Sequence, residues 1–501
     1  MTYSSVTKSK NGEDIPLFLD GKPMHSKYNP SAEKIVADSS VTEGFFLIGG
    51  IGGGYHIENL TKQLENYLIV AFEADKESLD FCLSLEKVQE LSRNPRIIFC
   101  LAPDVPRLVA ERYLPALYGN FNCFFQRAWQ TENAALCSGM GDRLKDTLKA
   151  VSADFSVQSH FGKIWMHNIL VNMKELTPRP FPEPGAEKLE KCAAIIAAGP
   201  TLDESIRTLR ERRQDFFVIA TDTTTGPLYR SGITPDLIVC VDAQSISSEH
   251  FYPIPAAGQT GKSPLVFLDI CSAPSTARML RSRGIPPFFF HSGHPLASLA
   301  AEECGMMQVE TGSGTVTIAA ADIARQLGFT RIRLFGADFS YSRGKPYAKG
   351  TYLDARFGSW NNALFPAEQH FAALMYRTPL REIRKGVLTS DVLDGYGKSL
   401  AVWQEKHGYE KKRDELRRQN AEKRKGNFVS PFDFKGFMKK CLCDMEQLDD
   451  VSELSTSKAF YALLPYVAYL RQHPAVAEEG KDSGVLGLLK AAYHFAGSLV
   501  D

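Results

Sequence analysis

Hydroxyl and carboxylate side chains follow three apolar runs within residues 192–241 of the chain, each of which has the length and composition of a buried strand. The residues that follow these runs are Gly199, Pro200, Thr201, Asp222, Thr223 and Asp242. Open α/β sheets bind ligands at the carboxyl ends of their strands. The helix predicted after Thr201 would also present free N–H groups, which bind phosphate. These residues predict a site for a phosphorylated ligand.

Two later segments add groups of the same kind. A turn of small and hydroxyl residues precedes the helical run 316–327, and a loop with an acid, cations and tyrosines follows the predicted strand 332–335. The residues concerned are Gly312, Ser313, Gly314, Thr315, Asp338, Lys345 and Tyr347. The turn predicts a second helix N-terminus able to hold phosphate or carboxylate, and the loop predicts a general base beside groups that stabilise a leaving phosphate.

Each of these residues also has a purely structural interpretation. Thr201 could serve only as a helix cap, Asp222 and Asp242 only as turn residues, and the loop that contains Lys345 only as a solvated lid. The coincidence of three polar strand ends favours a ligand site over three separate structural roles.

A glycine-rich turn near the N-terminus predicts a possible second site. It follows the apolar run 45–48, and a second run, 68–72, ends in an acid. The residues that form it are Gly50, Gly52, Gly54 and Glu73. This pattern is typical of an adenosine-type ligand, but Tyr55 stands where a dinucleotide motif needs glycine. A methyltransferase-like Rossmann domain that binds S-adenosylmethionine is one hypothesis, and a tight turn without a ligand is the other.

Changes in composition along the chain predict three domains. The Pro-rich stretch 177–185 is typical of a linker, and strand-like runs stop near residue 396. We therefore expect an N-terminal Rossmann-like domain (1–180), a central doubly wound α/β domain (186–395) and a C-terminal helical domain (396–501). The highly charged stretch 404–425 predicts a solvated helix.

The whole-chain composition limits the possible partners. The 501 residues include 58 basic and 58 acidic side chains, so no general field draws the chain to nucleic acid or to an anionic membrane. We see no signal peptide and no apolar stretch of membrane-spanning length, which predicts a cytoplasmic protein. The cysteines are scattered, and we expect neither a disulfide framework nor a structural metal.

The chain resembles the motility-associated factor (Maf) family, whose members transfer nonulosonic acid sugars to flagellin in motile bacteria. The resemblance lies in the runs 193–244 and 311–352 and in the N-terminal LIGGIGGGYHIENL with VAFEAD. The central run is similar also to the 6-hydroxymethylpterin diphosphokinases (MptE-like proteins) and, more distantly, to the bacterial sialyltransferases that use CMP-sugars. The resemblance covers most of the chain, and this full length favours Maf over the shorter pterin enzymes.

The resemblance implies roles for the residues named above. The residues that correspond to the family's nucleotide-binding motifs are Gly199, Pro200, Thr201, Asp222, Thr223, Asp242, Gly312, Ser313, Gly314 and Thr315, so the resemblance implies that they bind the nucleotide. The family's acid-then-Gly-Lys loop corresponds to Asp338, Lys345 and Tyr347. One departure is Ala198, where many members have asparagine, and this leaves the nucleotide open.

The implied reaction transfers a pseudaminic, legionaminic or sialic type of sugar from CMP to a serine or threonine of flagellin, without a cofactor or metal. Asp338 is the first choice for the general base, with His291 and His294 as rivals because imidazole titrates near neutrality. Both histidines have an equally good structural interpretation.

Three alternatives remain. An ATP-dependent pterin diphosphokinase would use Asp222 and Asp242 as Mg²⁺ ligands, and an S-adenosylmethionine methyltransferase would use the first domain. A non-catalytic motility factor would bind flagellin, and its pocket would have no enzymatic activity. Apolar faces in the C-terminal helices suggest contact with the acceptor or with a second subunit, and the oligomeric state stays open.

Overall fold

Helices and strands alternate along the computed structural model of the chain. The residues that it describes are 2–35, 38, 40–177, 182, 184–259, 261–407, 432–446, 458–474 and 484–500. Most of the predicted linker 177–185 lies outside these residues, and so does the predicted solvated helix 404–425 from residue 408 onward.

The strands and helices have the following bounds. The strands are β1 Tyr3–Lys8, β2 Asp14–Phe18, β3 Glu43–Gly49, β4 Asn66–Glu73, β5 Ile97–Leu101, β6 Phe121–Phe125, β7 Cys192–Ile196, β8 Phe216–Thr221, β9 Leu237–Cys240, β10 Leu265–Asp269, β11 Phe288–His291, β12 Met307–Gln308, β13 Ile332–Phe335, β14 Tyr341–Ser342, β15 Arg381–Arg384 and β16 Val387–Thr389. The helices as far as residue 407 are α1 Tyr55–Gln63, α2 Lys76–Leu83, α3 Glu86–Ser92, α4 Val105–Arg112, α5 Pro115–Tyr118, α6 Arg127–Glu132, α7 Ala134–Lys174, α8 Ala186–Leu189, α9 Leu202–Glu211, α10 Thr225–Arg230, α11 Pro274–Ser282, α12 Pro295–Cys304, α13 Val316–Gln326, α14 Tyr352–Trp360, α15 Ala367–Met375 and α16 Asp391–His407. Later helices are Phe434–Glu446, Lys458–Gln472 and Val485–Ser498.

The chain divides into two compact units. One contains Met1–Lys163 and Leu442–Ser498, and the other contains Ile164–Cys441 and Leu499–Asp501. The three domains expected from the sequence, 1–180, 186–395 and 396–501, stay a prediction about independent folding units.

The first unit contains a parallel sheet in the order β5-β4-β3-β6 and an antiparallel pair, β1 and β2. β3 and β4 are almost continuously apolar because a central parallel strand is covered on both faces. The buried polar residues of β4 are Asn66 at its start and Glu73 at its end.

The second unit contains a seven-stranded parallel sheet among its described residues, in the order β12-β11-β10-β9-β8-β7-β13. β7 is the first strand of this sheet along the chain, and it lies between β8 and β13. The direction in which the chain winds across the sheet therefore reverses between β7 and β13. Ligands bind beyond the carboxyl ends of the strands at such a switch point. One face of this sheet packs against α13, and Leu400 and Trp403 of α16 join the same core.

The predicted fold class is confirmed. Both units have parallel sheets with flanking helices, the second is doubly wound, and the chain after β16 is helical wherever the structure describes it. A small antiparallel sheet, β14-β16-β15, follows the large one. In the described residues we find no helix that has both the length and the apolar character needed to cross a membrane.

Candidate functional site at the carboxyl ends of the central strands

The turns that follow β7 and β13 are bonded to each other at the switch point. The Thr201 N–H donates to Asp338 Oδ2 at 2.8 Å, and the Thr201 hydroxyl donates to the other oxygen of the same carboxylate. The Gly199 N–H donates to the Gly336 carbonyl at 2.8 Å. Asp338 therefore occupies the N-terminus of α9, where a negative charge is favoured by the helix dipole.

This arrangement changes what Asp338 can do. Both of its oxygens already accept hydrogen bonds from Thr201, and a phosphate at the start of α9 would compete with the carboxylate for the same donors. The next residue, Phe339, has φ of 46°, a conformation that is strained for a bulky side chain and that recurs at functional sites. The strained backbone at Phe339 therefore supports a functional role for the turn after β13.

The loop after β14 is held above the start of α9. Lys345 Nζ lies 3.5 Å from Asp203 Oδ2, and the Lys349 N–H donates to Asp203 Oδ1 at 2.8 Å. The Ala348 N–H donates to the Ala198 carbonyl at 2.9 Å. Position 198 thus contributes its backbone to the site, although it lacks the asparagine side chain of many Maf proteins.

Asp222 and Asp242, at the ends of β8 and β9, form a second cluster beside the switch point. Asp222 is 4% exposed and accepts from the Thr223 N–H at 2.7 Å. Burial raises the pKa of Asp242 above its ordinary value and the charge of Asp222 adds to this increase, while a hydrogen bond from the Gln244 N–H opposes it. The two predicted acids are therefore close enough for their charges to interact.

His250 joins this cluster and was missed by the sequence analysis. It lies in the 3-10 segment Ser245–Phe251, which has no periodicity that distinguishes it from an ordinary loop. Its buried ring meets the Tyr352 ring edge-on at 4.5 Å, and its charge acts on Asp242. Its buried Nδ1 has no hydrogen-bond partner among the described residues. A buried imidazole whose charge interacts with that of an acid at a strand end makes His250 a candidate for proton transfer.

Two tyrosines complete the cluster. Tyr347 is 37% exposed as a whole residue, but desolvation of its hydroxyl raises its pKa to about 12, and the neighbouring Tyr341 and Tyr352 add to the effect. Burial likewise raises the pKa of Tyr352, which interacts with the charges of Asp222 and Asp242. Both hydroxyls therefore stay protonated at neutral pH and can donate hydrogen bonds to an anion. Tyr347 was predicted from sequence and Tyr352 was not assigned a role.

The predicted turn at residues 312–315 has structural contacts of its own. Thr315 caps α13, since its hydroxyl accepts from the Thr317 N–H at 3.3 Å. The Ser313 hydroxyl lies 2.6 Å from that of Ser399, on α16. A phosphate-binding role for Gly312, Ser313, Gly314 and Thr315 stays a prediction.

His291 ends β11 and His294 follows that strand, toward the opposite edge of the sheet from Asp338. Five strand spacings separate β11 from β13, which is roughly 24 Å. Burial lowers the pKa of His291 to about 4 and that of His294 to about 3. His294 also caps α12, because its Nδ1 accepts from the Leu296 N–H at 3.2 Å. These contacts favour the structural interpretation of both histidines.

In the first unit, Glu73 is bound by the protein itself. Its carboxylate accepts hydrogen bonds from the Tyr3 hydroxyl at 2.9 Å, the Ile51 N–H at 2.8 Å and Trp129 Nε1 at 2.7 Å. The side chain is fully buried, and burial raises its pKa. Glu73 therefore has no accessible oxygen for a ribose.

The glycine turn is filled by side chains of the same unit. A Cβ atom on Gly50 would lie 2.5 Å from the Trp129 ring, and one on Gly52 would lie 2.2 Å from Met24 Sδ. The predicted second site at Gly50, Gly52, Gly54 and Glu73 thus has protein atoms where an adenosine would lie. This geometry favours a tight turn without a ligand.

His25, Glu33 and His56 place possible ligand atoms within 4.8 Å of one another beside this turn. The hydrogen bonds argue against a metal there. His25 Nε2 accepts from the Gly53 N–H at 2.8 Å, so His25 carries its proton on Nδ1 and donates it to Glu33 at 2.7 Å. A protonated Nδ1 cannot ligate a cation. The trio instead holds the glycine turn.

His56 predicts an acid sensitivity of the first unit. Burial lowers its pKa to about 3, and His25 adds to the effect. Between pH 6.5 and 3 the unfolded chain therefore binds more protons at His56 than the folded chain does. The free energy of unfolding consequently decreases as the pH is lowered through this range. We expect a loss of about 2 kcal/mol from this group between pH 7 and pH 5. Urea unfolding at both pH values measures it.

The matched variants are His56→Gln, which keeps a donor for the Gly50 carbonyl but does not titrate, and His473→Gln, at an exposed position of the same unit. His56→Gln should flatten the acid loss and His473→Gln should not. Equal losses in both variants and in the wild type would contradict the prediction.

Residues 166–344 match the family model described as 6-hydroxymethylpterin diphosphokinase MptE-like. The match begins within α7 and includes every strand of the large sheet. The resemblance of the central region to these proteins, predicted from its motifs, is therefore confirmed. The match ends before Lys345 and Tyr347.

Two proteins of Treponema pallidum (strain Nichols), both described as uncharacterized, are similar to parts of the chain. One is 41% identical over 135 residues, which are 26% of this chain and 48% of that protein. The other is 32% identical over 154 residues, which are 30% of this chain and 71% of that protein. The chain thus spans about half the length of the first relative.

Among solved structures, that of a Maf glycosyltransferase from Magnetospirillum magneticum AMB-1 aligns with 100% of this chain and 91% of its own, with a TM-score of 0.48 and 12% identity.

Proposed function

This chain belongs to the same family as the Treponema pallidum protein of which it covers 71%, and we propose that it is a glycosyltransferase that moves a sugar from a CMP-activated donor to a hydroxyl group of a protein. The finer proposal is a nonulosonic acid donor and a serine or threonine of flagellin as acceptor. This finer proposal rests on the resemblance of the motifs to those of the Maf family. It includes a location of the enzyme in the cytoplasm.

The cluster of His250, Asp242 and Tyr347 supports this proposal most directly. It combines a buried imidazole, a carboxylate that interacts with its charge, and a phenol that stays protonated at neutral pH. It lies at the carboxyl ends of β8 and β9, beside the switch point. Transfer of a sugar to a hydroxyl group needs a base, a group that stabilises the charged base and a donor to the leaving phosphate.

In the proposed reaction the acceptor oxygen forms a bond to the anomeric carbon of the sugar, and the bond from that carbon to the phosphate oxygen of CMP breaks. His250 takes the proton of the acceptor hydroxyl, and the negative charge of Asp242 stabilises the imidazolium that forms. Tyr347 and Tyr352 donate hydrogen bonds to the phosphate, on which charge develops as CMP leaves. The electron pair of the broken bond stays on CMP.

Asp338 and Lys345 have supporting roles in this proposal. Because Thr201 donates to both oxygens of Asp338, we assign the acceptor proton to His250 and the shaping of the turn after β7 to Asp338. Lys345 has a 41% exposed side chain and a long 3.5 Å ion pair with Asp203, so it can turn toward the nucleotide phosphate.

The second candidate is a Mg²⁺-dependent diphosphokinase, favoured by the MptE-like match at residues 166–344. Asp222 and Asp242 would then hold the cation, because paired carboxylates are ligands that Mg²⁺ prefers. Burial and the charge of Asp222 raise the pKa of Asp242, and a bound cation would relieve this repulsion. ATP and a hydroxymethylpterin would be the substrates.

Calorimetry separates the two enzymes. Binding of CMP without Mg²⁺ supports the transferase, and binding of ATP that requires Mg²⁺ and is lost in Asp222→Asn supports the kinase. Intact-mass spectrometry of flagellin, from cells with and without the gene, then tests the acceptor. An unchanged flagellin mass contradicts flagellin glycosylation, and association without a mass change favours the non-catalytic motility factor.

Tyr347→Phe is expected to lower kcat for sugar transfer about 100-fold, with little change in CMP affinity, because the phenol donates mainly to charge that develops in the transition state. With a pKa of about 12, Tyr347 stays protonated up to alkaline pH and does not limit the rate below pH 10. Initial rates from pH 6 to 10 check both points.

Tyr376→Phe is the control for this prediction, because Tyr376 is 64% exposed and belongs to no described part of the cluster. The role of Tyr347 is wrong if both variants transfer sugar at the wild-type rate.

A further inference from the structure

A carboxamide on α7 binds two loops at the carboxyl ends of the large sheet at once. Asn168 is 4% exposed, and its Nδ2 donates to the Ala243 carbonyl at 2.9 Å and to the Cys271 carbonyl at 2.8 Å. A primary amide has two N–H hydrogens, and both are used here. Asn168 therefore links the loop after β9 to the loop after β10.

The bond to Ala243 reaches Asp242 through one peptide group. The Ala243 carbonyl and the Gln244 N–H belong to the same planar unit, so fixing the carbonyl also fixes the direction of the N–H. That N–H donates to Asp242 Oδ1 at 2.9 Å. Asn168 thus orients the hydrogen-bond donor that holds the Asp242 carboxylate.

Asn172, one turn further along α7, provides an internal comparison. It is fully buried, and its Nδ2 donates to the Ile270 carbonyl at 2.9 Å and to the Ser272 carbonyl at 2.8 Å. It therefore has the same residue type, the same helix, comparable burial and the same number of amide bonds. Both of its bonds end in the loop after β10, and neither reaches the peptide that holds Asp242.

We infer that Asn168 is a positioning residue, which fixes the Asp242 carboxylate toward His250 through the peptide between Ala243 and Gln244, whereas Asn172 only holds the fold. This inference deepens the proposed function and rests on it for the catalytic consequence. A misplacement of a reacting group by about 1 Å can cost about 100-fold in rate, so we expect the loss of Asn168 to lower activity by about 10- to 100-fold.

The titration of Asp242 gives a readout that does not depend on any enzymatic activity. Loss of Asn168 frees the peptide, weakens the Gln244 hydrogen bond and so raises the pKa of Asp242 further. The other titratable groups that act on or near this carboxylate are Asp222, Cys240, His250 and Tyr352. All four are unchanged in the variants, so a difference between variants reports the Asn168 contact.

The experiment compares full-length Asn168→Ala with Asn172→Ala, and Asp242→Asn assigns the signal. Carboxyl carbon NMR of 13C-aspartate protein should show the Asp242 midpoint moved to higher pH in Asn168→Ala and unmoved in Asn172→Ala. For sugar transfer, kcat should fall about 10- to 100-fold in Asn168→Ala and about twofold or less in Asn172→Ala. Urea unfolding should show similar losses of stability in both.

Equal Asp242 midpoints in the two variants overturn the inference. If the midpoints differ while the wild type transfers no sugar, the positioning role stands and the proposed function fails. Should Asn168→Ala not fold, Asn168→Leu, which has a similar size but no donor hydrogen, takes its place with Asn172→Leu as the control. In that pair an unmoved Asp242 midpoint again contradicts the inference.

Discussion

His250→Ala is expected to lower kcat for sugar transfer about 1,000-fold while the protein stays folded and binds CMP. The proposed general base supplies a factor of 10² to 10⁴ in reactions of this kind, and no other described imidazole lies in the Asp242 cluster. Initial rates with saturating donor, together with calorimetry of CMP, measure the two quantities separately.

His291→Ala is the matched control. His291 is also buried at the carboxyl end of a strand of the same sheet, but it lies at the end of β11 and its pKa of about 4 reflects burial. We expect His291→Ala to lower stability and to leave kcat within about threefold of the wild type. If His250→Ala retains more than a tenth of the activity, the base is another group, and Asp338 becomes the next candidate.

Gly336→Ala is expected to destabilise the second unit by about 4 kcal/mol. Gly336 has φ of 65°, and a Cβ atom there would lie 2.1 Å from the Ala197 carbonyl oxygen. That oxygen belongs to the backbone beside β7 and cannot move without breaking the contact between the two strand ends. Strain of this size is at the upper end of single-residue effects. Urea unfolding and CMP binding both report it.

Gly344→Ala separates the clash from the backbone strain. Gly344 has φ of 69°, nearly that of Gly336, but a Cβ atom there would meet no atom of the described residues within 4 Å. We expect it to cost about 1 kcal/mol, the usual penalty of a left-handed conformation. Similar losses in both variants would show that the approach of β13 to β7 is looser than the 2.8 Å hydrogen bond between Gly199 and Gly336 indicates.

The polar strand ends could be predicted from the sequence because each follows an uninterrupted apolar run. Asp222 and Asp242 are placed in this way, and the structure brings their charges within range of each other. The partner of Asp338 could not be predicted, because it depends on the order of strands in the sheet. Only that order makes β13 a neighbour of β7 and aims Asp338 at Thr201.

Other features of the structure could not be predicted, for different physical reasons. His250 lies in a short 3-10 segment, where no periodicity distinguishes a functional side chain from a loop residue. Glu73 matched the position of a ribose-binding acid, but the indole of Trp129, 56 residues away, is bound to it in the fold. The spacing of Asn168 and Asn172 on α7 was visible, yet their bonds to loop carbonyls depend on tertiary packing.

The pairing of β7 with β13 also has a consequence for the synthesis of the chain. Thr201 and Asp338 are 137 residues apart, so this side of the sheet closes only after the ribosome has released β13. Until then β7 is an edge strand with unpaired backbone groups and apolar side chains, and such edges pair readily with other chains. We therefore expect nascent or truncated chains that end before Ile332 to aggregate and to be bound by chaperones.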